Sequence, residues 1–285
     1  MNLRCLGLLL AWLACAPAAP AAEVTDDLGN RVEVGLPAQR IVSLAPHITE
    51  LLYAAGAGAR IVAAVAYSDY PPAARELPRI GDAARIDLER LLLLEPDLVI
   101  AWGSGTPARE LAGVRRLGIP LYLSEPRRLD GIGEQLRAFG RLAGTEAIAA
   151  EAAADYERRL AAVRERYAGT PRRPVFYQLA LQPLLTVNAE HIIHDAVTLC
   201  GGVNPFAALA ELTPRVDVEA VLAARPAALI HALYPGEDAG TTVRFWQRYG
   251  LAGETRYVAV PGDLIHRATP RILEGVESIC AGLAQ

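Results

Sequence analysis

The chain has no lysine, and all 28 of its basic residues are arginine. It has one methionine, four cysteines, and few aromatics, which make up 6% of its 285 residues. After the N-terminal segment there is no apolar run of about 18 residues, so nothing there is long enough to span a bilayer as a helix. There is no P-loop, no G-x-S-x-G elbow, no H-E-x-x-H helix and no iron–sulfur cysteine spacing. These absences remove the common motif-borne chemistries and leave a protein that is not an enzyme. "GSGTPARE", residues 103–110, has the glycines of a phosphate loop but not the rest of its signature. A net charge of -4 at pH 7 offers nucleic acid no electrostatic footprint.

The first residues, "MNLRCLGLLLAWLACAPAAPAA", join one early charge, a short apolar run and small residues with prolines. This is the pattern of a secretory signal peptide over residues 1–21, cut after Ala21 or Ala22. Lipid anchoring at Cys15 is the rival, because "WLAC" is close to a lipobox with Trp12 in the place of its Leu. Export puts the mature chain in the periplasm, with Cys200 and Cys280 as its remaining cysteines. An oxidising compartment favours a disulfide between them over two separate buried thiols.

From residue 40 to 125, short apolar runs alternate with helical patterns. "RIVSLA", "RIVAAVA", "DLVIAW" and "PLYLSE" are nearly unbroken by polar residues, as parallel strands covered on both faces are. "TELLYAAGAG", "DLERLLLLE" and "ARELAGVRRLG" between them have helical length. Residues 145–168 then predict one uninterrupted helix capped by Thr145, with acidic residues early and arginines late. Its apolar stripe is Ile148, Ala152, Tyr156, Leu160, Val163 and Tyr167. The alternation resumes with "PVFYQLAL", "LLTV", "HIIHDAVTLCGG", "DVEAVLAAR", "AALIHAL", "RYVAVPG" and "PRILEGVESICAGLA". The expected fold is α/β, with an N-terminal lobe over 22–144 and a C-terminal lobe over 170–285. Each lobe has a central, mainly parallel sheet flanked by helices, and one long stiff helix over 145–169 joins them.

The two halves share wording. "RIDLERLLLLEPDLVIAW" at 85–102 is echoed by "RVDVEAVLAARPAALIHA" at 215–232, 130 residues further on. Arg85 lies over Arg215, Asp87 over Asp217, Glu89 over Glu219 and Pro96 over Pro226. Each aspartate is placed to cap a helix. Each glutamate falls in the first exposed turn, where it opposes the helix dipole for about 0.3 kcal/mol.

Ligands of open α/β sheets bind beyond the carboxyl ends of the strands. Those ends supply Pro46-His47, Tyr67 to Tyr70, Trp102, Gln178 to Pro183, His231 to Tyr234, and Asp263. Tyr and Trp faces with a few fixed polar groups suit a flat, apolar ligand with a polar fringe. The alternative is that the aromatics only cap the strand ends. The five histidines (His47, His191, His194, His231 and His266) do not supply the converging set that a metal receptor needs. His191 and His194 share one helix face and read as capping residues, so no metal site is expected.

At this point the residues resemble a known family. "RIVSLAPHITELLYAAG", "AYSDYPP", "IDLERLLLLEPDLVIAW", "VTLCGGVNPF" and "RATPRI" are similar to the periplasmic vitamin B12 (cobalamin)-binding proteins of ABC importers. Those belong to the helical-backbone (class III) substrate-binding proteins for corrinoids, haem and iron-siderophores. The likeness runs from about Arg40 to Ala281, and "YSDYPP" together with "PDLVIAW" points to the corrinoid branch. It implies capture of cobalamin or a related corrinoid as a transported ligand, with no resident cofactor. Haem or a ferric siderophore is the alternative ligand. Delivery would be to a homodimeric ABC permease with its ATPase subunits at the inner membrane, by a chain that is monomeric when free.

By position, the resemblance places Tyr67 and Trp102 in the corrin pocket. Asp263 and Arg267 fall against the ligand's amides or nucleotide loop. Cys200 and Cys280 match a disulfide pair, and Glu89 and Glu219 match glutamates that meet permease arginines. The chain departs from the pattern at Ala83, Leu185 and Thr213, where the family's pocket has aromatics. His47 stands where a small residue is usual, and His266 where an acid is expected. His47 reads as a hydrogen-bonding residue at the mouth of the cleft, with axial ligation of the ligand's metal as its rival role.

Overall fold

The computed structural model describes residues 21–82, 84–251, 253 and 255–284. Cys15, the rest of the signal segment up to residue 20, and Ala83 lie outside the described residues. An antiparallel hairpin, β1 (Ala21–Thr25) and β2 (Arg31–Gly35), leads into the first half. There follow β3 (Ile41–Ser43), α1 (Pro46–Ala54), β4 (Ile61–Ala64), α2 (Leu88–Leu93), β5 (Leu98–Trp102), α3 (Ala108–Arg116) and β6 (Leu121–Ser124). Two helices, α4 (Gly131–Ala143) and α5 (Glu146–Tyr167), come next. The second half carries β7 (Arg173–Gln178), α6 (Ile192–Leu199), β8 (Gly202–Val203), α7 (Val218–Ala223), β9 (Ala228–Leu233) and α8 (Gly240–Arg248). It closes with β10 (Arg256–Pro261), α9 (Gly262–Ile265) and α10 (Ile272–Ala284).

Each half builds a four-stranded parallel sheet, in the order β4-β3-β5-β6 for the first and β10-β9-β7-β8 for the second. Numbered from the start of its own half, each sheet has the strand order 2-1-3-4. The written repeat is therefore a repeat of topology. It reaches the backbone too: Glu95 and Arg225, each just before a repeated proline, both adopt φ 44°. Residues with a side chain seldom enter that left-handed region, so the same uncommon bend closes both short helices.

Strand periodicity explains the unbroken apolar runs. Ile41, Leu98, Ile100, Val175, Tyr177, Ala228 and Ile230 face one common core. Their neighbours Val42, Val99 and Ala101 face a separate core outside the first sheet, and Phe176 and Leu229 one outside the second. Alternate residues are thus buried on opposite faces, so every position is apolar. The common core is completed by Leu136 and Phe139 of α4 and by Tyr156, Leu160 and Val163 of α5.

Helix α5 has 22 residues, which at about 1.5 Å each is roughly 33 Å of rigid rod. A Cβ on Gly140 would lie 2.3 Å from that of Ala149, so only glycine lets α4 approach α5 this closely. Arg137 pairs with Glu157 between α4 and α5, and Arg166 of α5 reaches Glu277 of α10. Cys200, which follows α6, is disulfide-bonded to Cys280 of α10, 80 residues away.

Several expectations are corrected. Thr145 precedes α5 but does not cap it, because its hydroxyl donates to the Ala55 carbonyl at 2.7 Å. The buried stripe of α5 starts at Ala149 and Ala153 rather than at Ile148, which is 54% exposed. Asp87 accepts a capping bond from the Arg90 amide, whereas Asp217 precedes α7 with no side-chain cap. "LLTV" forms only isolated bridges at Leu185 to Ala180 and Arg215. The amphipathic α4 was not anticipated at all.

Candidate functional site

The carboxyl ends of both sheets converge on one cleft with a cavity of about 960 Å³. In a 2-1-3-4 sheet the chain turns opposite ways from strands 1 and 3, opening a crevice between them. In the first half that crevice holds His47, the second residue of α1, and Trp102, the last residue of β5. In the second half it holds Leu179, directly after β7, and Tyr234, directly after β9. Tyr67, Asp69, Asp263, His266 and Arg267 add to the polar and aromatic lining. All five residues expected to meet a ligand, Tyr67, Trp102, Asp263, Arg267 and His47, thus line one cavity.

Tyr67 is presented in an unusual way. It sits at φ 64° and is 78% exposed, so a large ring is held out into the cleft by a left-handed backbone. Strain of this kind survives where the surroundings impose it, and it collects at binding sites. Trp102 is held more firmly. Its ring lies across Gly105, where a Cβ would come within 1.9 Å of the indole. Gly105 of "GSGTPARE" therefore gives clearance to an aromatic wall, while Gly103 lies against Glu125 and Leu28.

His47 meets Trp102 edge-on, with centroids 5.2 Å apart and planes at 86°. Burial, and then the Arg267 cation, push its imidazole down to about 4, so it is neutral at physiological pH. Its Nε2 is enclosed and has no hydrogen-bond partner among the described residues. The ring is an aromatic partner to Trp102 and part of the cleft wall.

Arg267 is 8% exposed and is gripped by two carboxylates, Asp69 Oδ1 and Asp263 Oδ1, each at 2.7 Å. Asp69 comes from the loop after β4 and Asp263 from α9, so the guanidinium ties one half of the chain to the other. A second tie lies behind it. The buried Glu50 of α1 accepts from Arg271 at 2.7 Å through both carboxylate oxygens, and from the Thr269 hydroxyl. Arg271 also covers the Tyr70 ring, 3.6 Å from its centroid. Tyr70 thus serves the fold, as does Gln178, whose amide bonds Trp246 and Thr242.

The lining is acidic. Asp69, Glu125, Glu190, Glu211 and Asp263 face two cations, Arg127 and Arg267. Glu125 is engaged by the amide and hydroxyl of Ser104, and Glu190 by Arg127 at 2.6 Å. Thr213 lines the cleft and Leu185 does not. His191 joins the wall, its Nδ1 accepting from the Ile193 amide as a helix cap, and its imidazole is pushed down to about 4 by burial. The described residues contain no cluster of three or more His, Cys, Asp or Glu side chains able to hold a metal ion.

Reading strand ends alone missed Glu125 to Arg127 and Glu190 to Ile193, but it included Tyr234. The repeat held the signal for Tyr234: the partner of Trp102, 130 residues on, is Ala232, two residues short of it. Glu89 and Glu219 lie outside the cleft, exposed in the first turns of α2 and α7. Neither has a salt-bridge partner among the described residues.

The periplasmic binding protein family matches residues 41–238. A vitamin B12-binding protein of Vibrio cholerae is 40% identical over 251 residues, covering 87% of this chain and 90% of its own. Its counterpart in Yersinia pestis is 34% identical over 247 residues, 87% of each chain. The crystal structure of the periplasmic vitamin B12 binding protein of Vibrio cholerae superposes with a TM-score of 0.77 at 38% identity, over 87% of this chain and 97% of that one. A periplasmic heme binding protein from Pseudomonas aeruginosa shares the fold, with a TM-score of 0.74 at 22% identity over 87% and 93% of the two chains. With two 2-1-3-4 sheets facing one cleft and a match across most of its length, the chain belongs to the periplasmic binding protein family.

Proposed function

We propose that the protein captures cobalamin or a related corrinoid in the periplasm and hands it to an ABC importer. The charge of the cleft carries this reading: five carboxylates against two arginines, both of which are already paired. Such a field repels haem, with its two propionates, and anionic ferric siderophores. A corrinoid offers neutral amides around a flat apolar ring, which suits Tyr67 and Trp102. The names of the similar proteins support the same ligand.

The lobes of residues 22–144 and 170–285 supply the two walls, and the helix of 145–169 keeps them at a set spacing. Tyr67 and Trp102 give stacking area, while Asp263 and Arg267 meet the ligand's polar fringe. Glu89 and Glu219 dock the loaded protein, one on each subunit of a homodimeric permease that is coupled to ATPase subunits. Residues 1–21 direct export and leave a free monomer in the periplasm. The protein carries its ligand without transforming it.

Titration of the mature protein with cyanocobalamin, dicyanocobinamide, haemin and a ferric hydroxamate tests the reading. A corrinoid is expected to bind with Kd of about 1 μM or below, roughly −8 kcal/mol. Haemin binding in that range without corrinoid binding would overturn it.

A further inference from the structure

Behind the cleft wall a chain of three side chains runs outward from the second sheet. Tyr177 of β7 contacts His266 Nε2 through its hydroxyl at 2.8 Å, and Tyr234 contacts His266 Nδ1 through its own at 2.7 Å. Tyr177 is 2% exposed and does not line the cavity, whereas Tyr234 is 39% exposed and does. The direction of these two bonds follows from burial. His266 Nε2 is the sole hydrogen-bond partner of the Tyr177 hydroxyl among the described residues. If the imidazole donated to it, the phenolic proton would be sealed in the core without an acceptor, the costlier arrangement for a buried polar group. Tyr177 therefore donates and Nε2 accepts.

A neutral imidazole carries one proton, so it resides on Nδ1 and is donated to Tyr234. Burial keeps the ring neutral down to about pH 4. With its oxygen accepting from His266, the Tyr234 hydroxyl must place its own proton elsewhere. Neither nearby carboxylate takes it: among the described residues His266 is the sole hydrogen-bond partner of the Tyr234 hydroxyl, while Asp263 pairs with Arg267 at 2.7 Å and Glu237 accepts from the Tyr234 backbone amide at 2.8 Å. The ring cannot turn away freely either. It lies over Gly262, where a Cβ would come within 2.5 Å of it.

We propose that Tyr234 is a ligand-binding residue whose hydroxyl is a one-way hydrogen-bond donor into the cleft. It would take an acceptor oxygen of the ligand, an amide carbonyl or a phosphate oxygen, and disfavour a donor group in the same place. This deepens the corrinoid reading and rests on it for the identity of the ligand. A corrinoid has both kinds of oxygen, carbonyls around the ring and one phosphate in the nucleotide loop.

Two measurements test it. Nitrogen-15 correlation spectra of the free protein at pH 7 should show His266 protonated on Nδ1 and bare on Nε2; the reverse tautomer overturns the proposal whatever the ligand. Y234F keeps the ring over Gly262 and removes the hydroxyl, both the donor toward the cleft and the acceptor of the His266 Nδ1 proton. It should weaken binding about tenfold, as loss of one hydrogen bond does, measured at a temperature where the variant is still folded, since the stranded His266 proton lowers its melting temperature. Weakening of cyanocobalamin alone assigns the phosphate as acceptor, and equal weakening of dicyanocobinamide assigns an amide carbonyl. Unchanged affinity of Y234F for every ligand that the parent binds overturns the proposal. If the parent binds haemin and no corrinoid, the corrinoid reading falls, and a tenfold loss of haemin by Y234F still supports the directed donor.

Discussion

Arg267 and Asp69, 198 residues apart in sequence, meet at 2.7 Å across the cleft. The pair is lopsided. The arginine side chain is 10% exposed and the aspartate side chain 47%, so solvent screens one partner only. D69N leaves Arg267 with Asp263 and should cost no more than about 1 kcal/mol. R267A leaves two carboxylates facing each other in the site, and should cost about 2–3 kcal/mol together with most of the ligand affinity. Thermal melts and ligand titrations of both variants check the ranking. Equal effects would show that the bridge, not the buried cation, is what matters.

The tie between Glu50 and Arg271 is expected to matter more for stability than for binding. Glu50 is 3% exposed, and its loss would strand a guanidinium that is itself only 21% exposed. Removing one member of such a pair costs about 3–5 kcal/mol. E50A should shift the urea midpoint accordingly, and E50Q by less, since the Thr269 contact can persist. Neither residue lines the cleft, so any protein that still folds should keep the parent's affinity.

Docking can be separated from capture. Replacing Glu89 and Glu219 by alanine should leave corrinoid affinity and melting temperature close to the parent's, because both side chains are exposed. If each meets an arginine of the permease, truncation should cost about 2–5 kcal/mol per desolvated pair. Pull-down with the reconstituted importer should then fail while ligand titration succeeds. Parental docking by the double variant would return both glutamates to helix-end electrostatics.

Acid is expected to loosen the protein before it reaches the carboxylates. His47, His191 and His266 are held near pKa 4 in the fold, against an ordinary value of 6.5, chiefly by burial. Below about pH 6.5 the unfolded chain takes up these protons and the folded one does not, so stability falls as pH drops toward 4. Beneath that, the folded state also binds them and this contribution stops changing. Urea midpoints at pH 7, 5.5 and 4.5 should decline in that order, and the decline should be shallower in a His47→Leu variant. A flat profile over this range would contradict the burial of the three rings.

The parts that were legible in the sequence were those whose burial is symmetrical. Strands such as "DLVIAW" are apolar on both faces, because Leu98 and Ile100 enter one core and Val99 and Ala101 another. The repeated wording of the two halves foretells the duplication, while the 2-1-3-4 order of each sheet is seen only in the structure. Helix α4 was hidden by its glycines, which are poor helix formers. Gly140 is there because Ala149 sits against it, a tertiary reason that leaves no local trace. Tyr67 and Trp102 could be read from the ends of strands, but the Tyr177–His266–Tyr234 chain could not. Its members lie 32 and 57 residues apart and are brought together only when β7, β9 and the turn after α9 align.

The core between the sheets belongs to both halves at once. Ile41 and Leu98 of the first, Val175 and Ile230 of the second, and Tyr156 and Leu160 of the connecting helix form a single buried cluster. Each half keeps only its outer core to itself, and its face toward the shared cluster has nothing to close it when the other half is missing. In denaturant the two should therefore melt together as one cooperative unit, despite their matching topologies, rather than in two steps. A fragment ending near residue 169 would expose the apolar side of its sheet and helices, and is expected to aggregate rather than fold as half a protein.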